Sequence, residues 1–554
     1  MGDWSFLATG HGLENVRHSG DRVATRVFFS VRDLDWGTPR VHLDYSGGRA
    51  TDDALLLAGF VDEAPLELTG KVAVVDDSLL VSFRVTARAD VEVSRAGPCI
   101  LHERADLAPS FETDAGPVEL ADRITIERVA SGYQRLGLEI DGGHVTIDFT
   151  GDRFELEDQR NWADSTFKSY CPPLSDPQPI SLHAGDVRAY SISFRVSSSS
   201  TGEAVPTDRP KQAEAPARLV DEPESHRMPR LGLRHRGGQR NGAAVERLRA
   251  LRPDYLHLFV DLASTTWRAD LANDLELVER VGTDAVVSVD AKAVDATADD
   301  DASLVELAQI LRAHAGTVLL FERGLPTTSA ALAATPAFIA SGITVGGGTR
   351  ANFASLNAVG SVPDPLEIVA VPLAVASHDD DRRALTSSTR SFRAIVDDTR
   401  RIAGNRELLI GPVTFRPTFD SWPPAGTVRD PRADWRSTSD RDGTAFAAAW
   451  TVAAVAALAV CDVERVTIGS TDDIDTPVFE ALLALGELRG KKVIRVRAGD
   501  RVDGLRASDS EPDALLVLGI MTDDTATLEN VGRVRRLASP RVFVDRTRPE
   551  TAAS

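Results

Sequence analysis

The feature that most constrains this chain is a regular alternation between Leu231 and Leu488. Apolar, strand-like runs occur at Leu231–His235, Tyr255–Asp261, Ala285–Asp290, Thr317–Glu322, Ile343–Gly347, Glu367–Leu373, Glu407–Phe415 and Val463–Gly469. A helix-like segment follows each of them, from Ala243–Leu251 to Pro477–Leu488. Strands that alternate with helices form parallel sheets, because each helix carries the chain back across the sheet. Eight such repeats over roughly 260 residues match the usual size of a closed (β/α)8 TIM barrel. An open doubly wound sheet is the rival, but no glycine-rich phosphate fingerprint follows the first run. Ala445–Cys461 imitates a membrane span, being apolar apart from Thr451. It is mostly alanine and sits at the short end of the ~17–25 residues a span needs. The sequence therefore predicts a buried helix packed on the barrel.

A chain of 554 residues exceeds one ordinary core, so flanking domains are expected. Residues 1–196 carry short alternating runs at Val23–Val31, Leu66–Val75, Leu79–Thr86, Glu92–Leu101, Arg123–Arg128, Leu136–Ile140, His144–Phe149 and Arg188–Val196, separated by turn signals. That pattern predicts an N-terminal β-sandwich. Residues 197–229 open on four serines and contain Pro206, Pro210, Pro216 and Pro223, the composition of a linker. The barrel then occupies 230–489. Runs at Val493–Val496, Ala514–Leu518 and Arg541–Val544 predict a small C-terminal β domain over 490–554.

A net charge of −21 argues against a nucleic-acid partner. Arginine greatly outnumbers lysine, which reads as codon bias before any claim about phosphate. Cys99, Cys171 and Cys461 fall in no metal or redox spacing, as expected of a reducing compartment. The start MGDWSFLATG has neither the basic region nor the apolar run of a secretory signal. A cytoplasmic protein with no membrane partner, metal or cofactor is the expectation. Nothing in the sequence fixes its oligomeric state.

Active sites of such barrels form where the strands end, in the loops that lead to the helices. Polar residues at those ends are His235 and Arg236, Asp261, Asp290 and Lys292, Glu322 and Arg323, Thr349, Arg350 and Asn352, His378 and Asp379, Arg416, and Asp472. Any such barrel shows some polar residues there, since strand ends meet solvent. Several acids with two histidines nonetheless suit hydrolysis, in which one group activates water and another returns a proton. Glu322, His235, His378 and Asp379 are the catalytic candidates. Glu322 ends an apolar strand, where burial raises a carboxyl pKa. Asp261, Asp290, Arg350, Asn352 and Arg416 are the substrate-binding candidates. Gly346-Gly347-Gly348-Thr349 lacks the spacing of a phosphate loop and predicts close backbone approach to a small polyol or acid. Asp379–Asp381 reads as a solvated acidic loop, and no zinc-ligand spacing is present.

Two N-terminal motifs stand apart from generic sandwich sequence: Val31–Thr38 and Glu157–Cys171, both dense in charge around a tryptophan. Paired arginine and carboxylate groups there suit either a ligand site or a seam between domains. At these motifs the chain resembles the D-apionate lactonase family. The resemblance rests on Arg32-Asp33, Trp36-Gly37-Thr38, Leu101-His102 and above all Glu157–Cys171. Gly346–Phe353, Leu356-Asn357, Pro412-Val413-Thr414, Arg416 and Ala448–Thr451 support it. It implies a β domain, a TIM barrel and a second β domain, and hydrolysis of a small branched aldonolactone to its acid. It also implies an acid where Arg350 stands, a His and an Asp at Val375 and His378, and a Glu at Ser470. These changes describe a diverged member. Its expected partner is a small sugar lactone or sugar acid. The alternatives are a glycoside hydrolase-like barrel enzyme, which needs a second carboxylate facing Glu322, and a catalytically inactive sugar-binding member.

Overall fold

Eight parallel strands close on themselves: β1 (Arg230–Arg234), β2 (Tyr255–Asp261), β3 (Asp284–Ala291), β4 (Ala315–Glu322), β5 (Thr344–Gly348), β6 (Ile368–Ala374), β7 (Glu407–Thr414) and β8 (Arg465–Ser470), with β8 pairing back onto β1. The computed structural model describes residues 3–47, 54–103, 110–140, 143–198, 217–291, 298–322, 327, 332, 335–377, 381–419, 431–498, 502–508, 516–521, 526–529, 535–537 and 541–545. Residues 3–160 and 165–198 belong to one unit; 161–164 and the described residues from 217 onward belong to another.

The barrel interior is filled in layers. At its N-terminal end Arg465 makes two hydrogen bonds to Glu407, at 2.7 and 2.9 Å, and one to Thr317 at 2.9 Å. Above it Tyr255, Val286, Leu319, Phe321, Ile368, Ala370 and Leu409 form the apolar layer. The Tyr255 ring fits because Gly232 has no side chain; a Cβ there would lie 2.1 Å from it. Next comes a polar layer. His257 is bonded through Nδ1 to Thr467 at 2.9 Å and through Nε2 to Ser288 at 2.8 Å. Burial first, then Arg234 and Arg350, push its pKa down to about 3, so this imidazole is neutral and structural.

The surrounding helices include α1 (Gly242–Leu251), α2 (Trp267–Val281), α3 (Ala298–Leu311), α4 (Thr335–Ala340), α5 (Phe353–Val359), α6 (Arg382–Ser388), α7 (Phe392–Ala403), α8 (Pro431–Trp435), α9 (Ala445–Ala459) and α10 (Pro477–Gly486). The helix expected over Ala384–Ile402 breaks between α6 and α7. There Ser387, Ser388, Thr389 and Ser391 turn their hydroxyls onto carbonyls three residues back, competing with the backbone ladder. The alanine-rich α9 is buried along nearly its whole length. It packs on α10 and the barrel and on the strands Val502–Ala507, Leu516–Ile520 and Arg541–Asp545 of the C-terminal sheet. Among the described residues no helix is long and apolar enough to cross a membrane. Ala217–Arg227, within the stretch read as linker, contributes three two-residue strands that pair with this C-terminal part of the chain.

The N-terminal unit stacks two antiparallel sheets, of seven and nine strands, over one core. Phe29 of the first sheet meets Phe83 and Tyr190 of the second at 5.7 and 6.1 Å between ring centres. The strand expected at Arg123–Arg128 is instead irregular. Arg160 holds the carbonyls of Asp122 and Arg123, and Arg128 pairs with Glu155 at 3.2 Å, so local charge overrides alternation.

One contact tests the packing of α9. A Cβ on Gly519 would sit 2.1 Å from the carbonyl oxygen of Ala449. Overpacking of that kind costs ~1–3 kcal/mol. Gly519→Ala is therefore expected to lower stability by about that amount in urea unfolding. A neutral result would mean the sheet does not press on the helix.

Candidate active site

At the C-terminal end of the barrel, Arg350 leaves the turn after β5 and pairs with Asp290 of β3 at 2.8 Å. Both are buried, at 5% and 3% exposure. The guanidinium lies over the rings of Phe259 and Phe419, at 4.2 and 4.9 Å. Trp435 stacks on Phe259 at 5.5 Å and meets the edge of His257 at 5.1 Å. Its Nε1 donates to the His235 carbonyl at 2.8 Å, and Arg234 Nη1 donates to the Trp435 carbonyl at 3.0 Å. Ion pair and aromatic rings together fill the centre of the mouth.

Beside that plug, between the ends of β1, β7 and β8, lies a cleft of about 50 Å³. Arg234, Arg236, Thr414, Asp442, Ser470 and Asp473 are among its lining residues. The turn after β8 places the acids: Asp473 accepts from the Ser470 amide at 2.7 Å, while Asp472 takes Arg236 and Arg240. Burial first raises the Asp473 pKa, to about 6, with the Ser470 amide opposing and Asp442 adding. Burial and then Arg236 lower that of Arg234 to about 10. Arg234 Nε and Arg236 Nη1 are buried and have no hydrogen-bond partner among the described residues. Two donors thus lie in a cleft with a carboxylate whose pKa is near working pH.

The sequence-expected residues divide. Asp290 and Arg350 come together, but as an ion pair with each other. His235 is buried with both ring nitrogens engaged, Nδ1 with Thr471 at 2.9 Å and Nε2 with Asp274 at 3.2 Å. Asp261 accepts from the Ala263 amide in its own turn, and Asn352 caps α5 by accepting from the Ser355 amide. Arg416 is exposed. Glu322 is the last residue of β4, with its side chain outside the described set, and His378 and Asp379 lie outside the described residues. The glycine run approaches protein, not open space: a Cβ on Gly347 would meet Thr327 at 2.1 Å and one on Gly348 would meet the Ala370 carbonyl at 2.3 Å. Asp473, Arg234 and Trp435 escaped the sequence reading. The acidic run Asp472–Asp475 after β8 pointed to the first; nothing in the sequence links Trp435 to His235, 200 positions away.

Residues 1–199 match the D-apionate lactonase N-terminal domain, and residues 230–475 match the D-apionate lactonase TIM barrel domain. The chain belongs to the D-apionate lactonase family. The D-apionate lactonase of Brucella anthropi is 27% identical over 199 residues, 33% of this chain and 32% of that protein. The chain thus aligns with about a third of that relative's length. Among solved structures, a β-arabinopyranosidase is 10% identical over 98% of this chain and 96% of its own, with a TM-score of 0.29. A GH30 endoxylanase from Clostridium papyrosolvens C71 is 8% identical over 60% of this chain and 96% of its own, with a TM-score of 0.35. At those scores the likenesses carry nothing further.

Within this member of the family, the strand ends where acids or a histidine were expected hold Arg350, Val375 and Ser470. Val375 and Ser470 are each 5% exposed, so two of the three changes are small or apolar fillings and the third is a paired cation. Removing one partner of a buried ion pair leaves the other charge uncompensated, at ~3–5 kcal/mol. Arg350→Met is expected to lose about that much in urea unfolding, and Asp290→Asn added to it to restore most of the loss.

Asp473 gives a second expectation. Its folded pKa, about 6 against the ordinary 3.8, means the folded state holds the proton more tightly. The group therefore lowers stability as pH rises from about 4 to about 6, and the penalty is complete above that, at up to about 3 kcal/mol. Asp473→Asn should be more stable than wild type at pH 7 by about 1–3 kcal/mol and equal to it near pH 4, read from paired thermal melts.

Proposed function

We propose that this protein hydrolyses a small sugar lactone, of the branched aldonolactone type, to the open acid. The observation that carries the reading is the cleft's pairing of Asp473 with two buried donors that lack a hydrogen-bond partner among the described residues, Arg234 Nε and Arg236 Nη1, the latter 3.9 Å from Asp442. A lactone carbonyl is neutral in the ground state and anionic in the tetrahedral intermediate, so fixed buried donors favour the latter. Asp473, ionised above about pH 6, takes a proton from water as the oxygen attacks the carbonyl carbon. The ring oxygen then leaves as the C–O bond breaks, and Asp473 returns the proton to it. About 50 Å³ holds a water or two, against the ~300 Å³ and more of ordinary ligand pockets. The cleft thus suits the reacting atoms, and the rest of a sugar ring requires the space Trp435 now fills.

The test is a panel of aldonolactones, D-apionolactone included, followed by acid release at constant pH. The expected result is acceleration over spontaneous opening on at least one, with kcat/KM rising through pH 6 to a plateau. Asp473→Asn should lose about 10²–10⁴-fold, the range of general acid–base catalysis. No acceleration on any lactone would sink the proposal. One observation favours a second reading, a member that binds sugar acids without turnover: Arg350 neutralises Asp290 and helps close the mouth. Saturable binding of an aldonate with no turnover of its lactone would select it.

A further inference from the structure

The N-terminal unit gathers positive charge on one face of its seven-stranded sheet: Arg95 and Lys168 are buried, and Arg32 is half-buried and bonded to Thr38 and the Trp36 carbonyl. Arg32 and Arg95 stand directly opposite each other on neighbouring antiparallel strands, where like charges are destabilising. Arg95 is 4% exposed, and its Nε has no hydrogen-bond partner among the described residues. It lies 3.8 Å over the Tyr170 ring and 5.8 Å from that of Trp36. Lys168, 6% exposed, approaches the same Tyr170 ring at 5.3 Å. The acid beside them, Glu157, pairs with Lys168 at 3.0 Å. Asp33 acts on Arg32 as well, so among the described residues three cations face two carboxylates, an excess of one positive charge. Burial is the largest influence lowering both Arg32 and Lys168, and Arg95 depresses each further.

Structural use does not account for this arrangement. A guanidinium in a core is ordinarily tied to a carboxylate or to carbonyls; Arg95 rests on aromatic faces, with a donor unused. Trp36 is 39% exposed and held at φ 64°, in a turn that Asp33 builds by accepting from the Asp35 and Gly37 amides at 3.0 and 2.6 Å. A left-handed conformation is uncommon for so bulky a residue, and it leaves an aromatic surface beside the cations and open to solvent.

We propose that Arg95, with Arg32 and Lys168, forms a site for a small oxyanion, and that Trp36 covers the body of the bound molecule. The shared chemistry is one planar or tetrahedral oxyanion, supplied either by an inorganic ion or by the carboxylate of a hydroxy acid. Nothing in the proposal rests on the barrel's chemistry, so it stands or falls separately from hydrolysis.

The test is calorimetric titration of the full chain, in low-salt buffer, with sodium phosphate and with sodium D-gluconate. Binding of either is expected, weakening as chloride is added. Tighter gluconate than phosphate assigns the site to a hydroxy acid, with Trp36→Ala weakening gluconate but not phosphate; the reverse order assigns it to an inorganic ion. Arg95→Met should weaken binding at least tenfold, and Glu157→Gln should tighten it several-fold by raising the local positive charge. Should Arg95→Met fail to fold, Lys168→Met gives the same loss-of-charge test. No heat with either anion at 10 mM in wild type, or unchanged affinity in a folded Arg95→Met, overturns the proposal.

Discussion

The upper half of the barrel is organised around one buried cation, Arg350. A guanidinium cannot be left dry and unpaired, so Asp290 must face it from two strands away, and the pair sits at 2.8 Å. A planar cation also suits flat partners, and Phe259 and Phe419 supply them, with ring centres 4.2 and 4.9 Å away. Trp435 of α8 is stacked on Phe259 and tied to β1 through the His235 carbonyl and Arg234. One residue in the turn after β5 is thereby packed, directly or through Phe259, against side chains that follow β7 and lie in α8.

On the reading proposed above, that packing places the chemistry off the barrel axis. With Asp290 committed to Arg350, the described acids at the cleft are Asp442 and those of the β8 turn. Of the latter, Asp472 is taken by two arginines, which leaves Asp473, oriented by the Ser470 amide. Ser470 matters here for its backbone as much as its side chain, because its N–H fixes the carboxylate that the cleft presents. The burial that raises the pKa of Asp473 is the burial that makes Arg234 and Arg236 effective donors. Low polarity strengthens both effects at once.

The barrel strands were legible because a parallel strand covered on both faces reads as a continuous apolar run; Tyr255–Asp261 was read with the bounds the structure shows. The helix α9 was legible for the same reason, its alanines being covered on the barrel side and on the sheet side. Two buried strands of the N-terminal unit were harder. Thr166–Tyr170 is buried at every position and carries Lys168 between aromatic residues, so it lacks the alternation that marks a sandwich strand; Phe154–Asp158 alternates for only four residues before it ends in acids, too short a run to stand out. The site was the least legible part. His235 was found by its position at a strand end, but position does not reveal that Thr471 and Asp274 hold both nitrogens. The cleft depends on which donors lack partners, a property of the folded neighbourhood and not of any residue type.

The arginines make that point generally. In a chain of net charge −21, their abundance is unremarkable as composition, yet in the fold they fall into two kinds. Arg465 is matched by Glu407, Arg350 by Asp290, and Arg495 by Asp503 through two bonds of 2.9 and 2.5 Å. Each of these closes a charge inside the protein. Arg234, Arg236, Arg240, Arg441, Arg497 and Arg95 each keep a buried N–H without a hydrogen-bond partner among the described residues. An unmet buried donor costs ~1–3 kcal/mol; in two clusters, Arg234 with Arg236 and Arg95 with its neighbouring cations, an incoming acceptor would relieve it. The first cluster faces a carboxylate with a pKa near neutrality and suits an oxyanion that forms and collapses during a reaction. The second stands beside Glu157, already paired with Lys168, and Asp33, which holds its own turn, and suits an anion that arrives complete and stays.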